Sequence, residues 1–522
     1  MSNLLKELMN NHGPCLSTDL TKILAKEHSL SEETARKRVS RGFAELKRLP
    51  YLTFPRKARF IYLQNDYNSP QYWEALKKSI LDNSPAYGPA LASLIQRGGL
   101  IPKEHFHIVC GAPLRQKKHL SSEIILSRLI RAEVVKELAV PGIGPCIALT
   151  GMLTGSEPDV NQLRARLVTE AILLKAIRMW VRNLGIASFN KVALRDEGNM
   201  MPKVGTFVWD LTGPSYLAPM VDWNKQGKPV PGFIACDILL GSEVDEIGLR
   251  PFLQKISTLK SLKRIGRCLY IFVADSYTSL AFRKAKEKGI IPATPETLFG
   301  SEVAQGLARL TEVLTQAAKL SINPDVFDEL FQRLGKIEGA TGNLRGALFE
   351  FIVAELVRQT ISSQVMLNQI IKDYETGAQA EVDVLAVKKN RTVHFIECKG
   401  YHPSSVVADD EVERWLSNRI PLIRKYALQH PEWKHLELHF EFWTTGNLSN
   451  IAVKMIDKAK ATTRKYEIEY RNAMAVQAYA LEVKDPSLLK TLNNHFLEHP
   501  MLTIETAVEK QKARAKRSHN EK

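Results

Sequence analysis

Two apolar runs, Val382–Val387 and Val393–Cys398, flank the polar stretch Lys388–Thr392 and read as neighbouring buried β-strands, yet Asp383, Glu397 and Lys399 stand among their core side chains. Acids and lysines are rarely buried, so a core strand that keeps Glu397 and Lys399 two positions apart needs something nearby to offset their desolvation. A metal ion and a phosphate would do so. Successive side chains of a strand alternate, which puts Glu397 and Lys399 on one face and lets a neighbouring strand bring Asp383 beside them. Two carboxylates and a backbone carbonyl, that of Cys398, make a hard-oxygen site suited to Mg²⁺, with Mn²⁺ able to substitute. A metal-bound water, oriented or deprotonated by Lys399, would then attack a phosphodiester. A Glu and a Lys at a strand end are more often an exposed ion pair, so the weight falls on the elements around them.

The chain's 522 residues exceed one ordinary core and imply roughly three or four domains of about 100 to 200 residues. Hydrophobic residues, 44% of the total, suffice to fold them. With 72 Lys and Arg against 56 Asp and Glu, the net charge of +16 favours an anionic partner, nucleic acid ahead of acidic lipid. No apolar run approaches the roughly 18 residues that span a bilayer, and residues 1–10 have neither the basic start nor the apolar stretch of a signal peptide. The expectation is a cytoplasmic protein with no membrane partner. Cys15, Cys110, Cys146, Cys236, Cys268 and Cys398 are scattered singly, without zinc spacing or disulfide density, and read as reduced thiols.

Residues 1–66 spell three amphipathic helices and a hairpin. Ser29 with Glu32 fits a capping box, and Val39, Phe43 and Leu46 recur at the spacing of one buried helix face. Arg36, Lys37, Arg38 and Arg41 fall on the outer faces, and the hairpin after Pro50 carries Arg56, Lys57 and Arg59 at its tip. A charge run on a helix is usually a solvated face, but here helix and hairpin are basic together. The pattern resembles the winged helix-turn-helix domains of DNA-binding proteins, which implies that these basic residues meet a phosphate backbone. Residues 67–150 show helical periodicity around a short strand at His105–Gly111 and read as a helical or second winged-helix domain. Its Arg115–His119 stretch is basic, and His105, His107 and Cys110 lack a nearby fourth metal ligand. Pro141–Pro145 and Thr150–Asp159 mark a linker.

From residue 151 one pattern is spelled twice. Residues 151–300 give a long helix, strands at Lys191–Asp196, Thr206–Gly213 and Gly232–Gly241, a helix, a strand at Arg267–Asp275 and a helix. A helical linker, 301–342, precedes residues 343–480, where a helix is followed by strands at Val365–Glu375, Glu381–Val387 and Val393–Gly400, a helix, a strand at Leu436–Thr445 and a helix. Both copies read α-β-β-β-α-β-α, a mixed sheet covered by helices, and imply an internal duplication. In the first copy Asp237 matches the strand acid, but Leu239 takes the lysine's place. Glu170 and Asp210 imitate only part of a site, so this copy is expected to bind or support and not to cut. Residues 481–522 read as a helix and a basic tail.

In the second copy a helix acid, Glu350, a strand acid, Asp383, and the E-x-K of Glu397 and Lys399 follow one another in the right elements. This copy resembles the PD-(D/E)XK, or restriction-endonuclease-like, nuclease superfamily, with Val382 where the naming proline would stand and Glu381 as an extra carboxylate. Glu381–Val387, Phe395–Gly400 and Trp443–Ser449 look most like its Mrr-like and CRISPR-associated branches. The resemblance implies Glu350, Asp383, Glu397 and Lys399 as the catalytic set, with Glu350 joining Asp383, Glu397 and the Cys398 carbonyl around Mg²⁺. Arg345, Arg419, Arg424 and Lys425 are cations for phosphate near that site. Glu350 is expected to arrive through a small-residue patch, Gly346, Ala347 and Ala354, that lets its helix approach the sheet.

The expected molecule is a multidomain α/β protein: an N-terminal winged helix and two restriction-endonuclease-like αβββαβ domains, the first degenerate and the second active. Its expected activity is metal-dependent endonuclease cleavage of DNA, duplex first. A setting in bacterial restriction or antiphage defence, with a homodimer or a defence-system partner, rests on the resemblance alone. The alternatives are a DNA-binding regulator or assembly subunit that uses the fold as scaffold, and a nuclease of RNA or single-stranded DNA.

Overall fold

The structure, a computed structural model, describes residues 2–150, 157–188, 190–197, 201–262, 265–316, 325–337, 340–373, 375–483 and 485–497. The expected basic tail and most of the Thr150–Asp159 linker lie outside the described residues. The chain divides into two compact units, Met1–Leu163 with Ile177–Leu298, and Arg164–Ala176 with Phe299–Lys522. No described helix is long and apolar enough to cross a membrane.

The first unit opens with α1 (Ser2–His12), β1 (Cys15–Leu16), α2 (Ser17–Glu27), α3 (Glu32–Arg41), β2 (Leu46–Arg48) and β3 (Phe60–Leu63), the strands ordered β1-β3-β2. Leu8, Leu20, Leu24, Val39 and Ile61 pack together as its core. The cap of α3 is Ser31, whose hydroxyl accepts from the Thr34 amide, and not Ser29, which takes a left-handed φ of 50°. The helix stops at Gly42, where a φ of 60° suits glycine, so Phe43 and Leu46 lie beyond it and Leu46 enters β2.

After α4 (Pro70–Asn83) the same order returns: α5 (Gly88–Gln96), β4 (Leu100–Pro102), α6 (Phe106–Val109), α7 (Ser122–Arg131), β5 (Val135–Val140) and β6 (Gly144–Leu149), with strands ordered β4-β6-β5. The strand expected at His105–Gly111 is the short helix α6. His105 meets Asp196 at 3.1 Å and His107 meets Ser122 at 2.8 Å, which uses ring nitrogens that a metal would need.

The helix α8 (Glu157–Asn183) leads to β7 (Ala193–Leu194), β8 (Lys203–Val204), β9 (Phe207–Val208), β10 (Leu211–Ser215), a ribbon of β11 (Asp222–Trp223) and β12 (Pro229–Val230), and β13 (Gly232–Val244). Then come α9 (Glu246–Lys260), β14 (Cys268–Tyr277), α10 (Ser279–Glu287), β15 (Ile290–Ala293) and α11 (Pro295–Phe299). The sheet runs β15-β14-β13-β10-β7, antiparallel from β7 to β13 and parallel from β13 to β15.

In the second unit α12 (Ser301–Gln316), α13 (Asp325–Leu334) and α14 (Ala340–Thr360) precede β16 (Val365–Lys372), β17 (Gln379–Lys388) and β18 (Thr392–Lys399). They are followed by α15 (Asp409–Arg414), α16 (Ile420–Gln429), β19 (Glu437–Thr444), α17 (Asn450–Thr462), β20 (Glu467–Arg471), α18 (Ala473–Glu482) and α19 (Pro486–Leu492). The order β16-β17-β18-β19-β20 carries the same succession of antiparallel and parallel pairings as the first sheet. The molecule is thus mixed α/β with several sheets, and its two larger sheets share one topology. Phe395, Phe440 and Phe442 pack with Trp415 and Ile423 in the second unit's core on one face of β18 and β19, while His394 and Glu441 meet at 2.7 Å on the other.

Candidate active site

Strands β17 and β18 pair from Lys388–Thr392 to Val384–Ile396. Past that rung Asp383 replaces a backbone acceptor with its own side chain, Oδ2 accepting from the Cys398 amide at 2.7 Å. The ladder therefore opens where the carboxylates begin. Glu397, 5% exposed, accepts from Lys399 Nζ at 2.7 Å and from the Arg419 guanidinium. Arg419 ends a π-helical turn, Trp415–Arg419, that joins α15 to α16, while Trp415 at the start of that turn packs on Phe442 at 5.3 Å between ring centroids. Such turns recur at functional sites. Glu381 pairs with Arg164 of α8.

Glu350 arrives on α14, and the close approach is made at Gly400. A Cβ there would stand 2.2 Å from Arg345 O and 2.6 Å from Phe349 Cβ. Gly346, expected to make this contact, faces open space instead, because it lies on the outer side of the helix.

Glu350, Glu381, Asp383 and Glu397 share this region with Arg164, Lys399 and Arg419, one acid more than the cations. Burial pushes the Glu350 carboxyl well above its usual range, with Asp383 and Glu381 adding to the rise. Burial also lifts Glu381 to about 8 against the pull of Arg164, and Asp383 to about 6 with help from Glu397. At Lys399 burial works against the charge, but Glu397 and Asp383 outweigh it and hold the ammonium above its ordinary range. A divalent cation fits the chemistry of this donor set, hard carboxyl oxygens whose protons, held there by burial, a bound cation would displace. Among the described residues no three His, Cys, Asp or Glu side chains converge as they stand into a cage for a metal ion. Glu397 is engaged by Arg419 and Lys399, and Asp383 by the Cys398 amide.

The remaining cations expected at phosphate divide by place. Arg345 is only 3% exposed and donates Nε to His495 O at 2.5 Å, so its guanidinium is turned inward and not toward a phosphate. Arg424 lies over the Tyr466 ring, and Lys425 bridges Asp373 at 2.9 Å and Glu375 at 2.6 Å. On α3, Arg36, Lys37 and Arg41 are exposed and Arg38 is half-buried. A groove of about 810 Å³ is lined by Lys22, Arg36, Arg48, Arg56, Lys57 and Arg59, with Glu32 and Glu33 also on its wall.

The first copy repeats the carboxylate geometry. Leu211 pairs with Cys236, and beyond that rung Asp210 Oδ2 accepts from the Ile238 amide at 2.7 Å, as Asp383 does from Cys398. Leu239 leaves the strand without a lysine, but α9 supplies one: Lys255 Nζ lies 2.5 Å from Asp237 Oδ2, 3.0 Å from Ile108 O and 4.0 Å from the Trp209 ring centre. Arg195 donates to Asp210 at 2.9 Å. These side chains are buried and closed on one another, which is consistent with a copy that does not cut. Glu170 is buried as well, with Arg166 at 3.9 Å. Arg164 and Lys255 were not singled out in the sequence. Lys255 left a signal, since it falls on the helix face of Phe252, Ile256 and Leu259, where a solvated lysine does not belong.

No family model matches this chain, and no curated protein does. Among solved structures, the restriction endonuclease FokI is similar at a TM-score of 0.19 and 10% identity, over 89% of this chain and 82% of that one. A TM-score of that size means that the two do not superpose as wholes.

Proposed function

We propose that the second unit is a metal-dependent nuclease of the restriction-endonuclease-like kind acting on DNA, and that the first unit contributes winged-helix blocks and a degenerate nuclease copy. The observation that carries this reading is the meeting of Asp383, Glu397 and Lys399 where the β17–β18 ladder opens, with α14 seated on Gly400 to present Glu350. Asp383, Glu397 and Glu350, with the Cys398 carbonyl, would hold Mg²⁺ or Mn²⁺, which supplies a water of raised acidity and charge stabilisation at phosphorus. Lys399, whose ammonium form its two acidic neighbours favour, would orient the attacking water and offset charge at the phosphate. Arg419, partly exposed, is placed to exchange Glu397 for a phosphate oxygen.

The ion pairs that already satisfy Glu397 favour a second reading, a DNA-binding scaffold without catalysis. Incubating supercoiled DNA, linear single strands and RNA with the full chain in Mg²⁺ and in EDTA separates the two. Cleavage of DNA in Mg²⁺ alone, abolished by Asp383→Asn, supports the nuclease; intact DNA under every condition, with binding retained, supports the scaffold.

A further inference from the structure

Between β10 and β13 the ribbon of β11 and β12 leaves Trp223 70% exposed and Tyr216 53% exposed. An indole is among the side chains that a fold most often covers, and this one is left in water. The ribbon is tied together by its own hydrogen bonds. Asn224 Oδ1 accepts from the Gln226 and Lys228 amides, each at 2.9 Å, Gly227 turns the tip with a φ of 70°, and Trp223 is held in register with Pro229. At its base Arg267 donates to Pro219 O at 2.8 Å and pairs with Asp222 at 3.6 Å, which offsets the only acidic charge on the ribbon. Lys225 and Lys228 stand exposed on the same ribbon.

We propose that this ribbon is a base-stacking element, in which the Trp223 indole takes an unpaired base of a nucleic-acid strand and Lys225 and Lys228 meet its phosphates. A rigid aromatic face with flanking ammonium groups is the chemistry of single-strand binding, and it tolerates any base because every base offers a π-face. Bases inside an intact duplex are already stacked on one another, so the ligand is a single strand, a frayed end or a tail. The choice of a nucleic acid as the partner rests on the functional reading above; the stacking role rests on the ribbon itself.

The test measures binding of the full chain, in EDTA, to a labelled single strand, a duplex with a single-stranded tail and a duplex closed at both ends by loops too short to unstack. Trp223→Ala is expected to weaken the first two by about tenfold and leave the closed duplex unchanged, while Trp223→Phe keeps most of the affinity. Lys225→Ala with Lys228→Ala is expected to lower the salt slope by roughly one unit for each phosphate no longer neutralised. Because Trp223 lies outside the core, the melting temperature of each variant should match the parent and confirm the fold. Equal binding by Trp223→Ala and parent, an equal loss on all three ligands, or no single-strand binding by the parent each overturns the inference. Mg²⁺-dependent cleavage by a chain indifferent to Trp223 would sink this inference and leave the nuclease reading standing; Trp223-dependent binding without cleavage would do the reverse.

Discussion

At Lys399 burial and two carboxylates pull in opposite directions, and the carboxylates win, so the side chain is an ammonium at neutral pH. Lys399→Ala should bind DNA about as well as the parent in Ca²⁺ but lose orders of magnitude in single-turnover cleavage with Mg²⁺. Parental rates would reduce the lysine to a salt-bridge partner. At Asp237 the balance falls the other way: burial exceeds the attraction of Lys255 and takes the carboxyl to about 6. Its folded pKa then lies above the unfolded value of about 3.9, so the folded state holds the proton more tightly and stability from this group falls as pH rises from about 4 to about 6. The loss is on the order of 2 to 3 kcal/mol and is complete above that window. Urea midpoints of the parent and Asp237→Asn between pH 4 and pH 7 should diverge in that sense, and parallel curves would show that the ion pair dominates. Asp237→Ala is a poorer probe, because it strands Lys255 in the core at a cost of about 3 to 5 kcal/mol.

At the scale of elements, the strand pair was legible because alternation, β-branched runs and a charged pair two residues apart are local features that survive folding. The α-β-β-β-α-β-α succession could also be read, but the edge strands β15 and β20 could not, because four and five residues are too short a run to stand out from a loop. Of the cations from helices, Arg419 was expected near the site, but Arg164 and Lys255 were not: they come from α8 and α9, and which face of a helix meets a strand end depends on packing that no window of sequence contains. The misplaced approach on α14 has the same origin: small residues on the helix suggested closeness, whereas the space is made by Gly400 across from it. Gly400→Ala should therefore push α14 off the strand, cost about 1 to 3 kcal/mol and impair cleavage more than DNA binding, whereas Gly346→Ala should be neutral or mildly stabilising. Thermal melts with parallel cleavage assays check both, and equal effects of the two substitutions would refute this account of how Glu350 is placed.

At the scale of the whole molecule, a net charge of +16 and the basic groove between α3 and the β2–β3 connection imply binding that weakens steeply with salt. Neutralising Arg36, Arg56, Lys57 and Arg59 together in the full chain should flatten the log–log salt dependence of duplex binding by roughly one unit for each phosphate left without its cation, with cleavage of saturated complexes unchanged. An unaltered slope would make these residues a solvated face. The route of the chain carries a further consequence. Residues Arg164–Ala176 belong to the second unit although Ile177–Leu298, which belong to the first, follow them. Synthesis proceeds from the N-terminus, so Arg164 leaves the ribosome well before Glu381, the acid it is paired with, and waits through the completion of another domain. If the nuclease reading holds, a nascent or truncated chain already owns its DNA-binding blocks while its cutting centre is still missing strands and carboxylates, and the order of manufacture itself keeps the unfinished enzyme harmless.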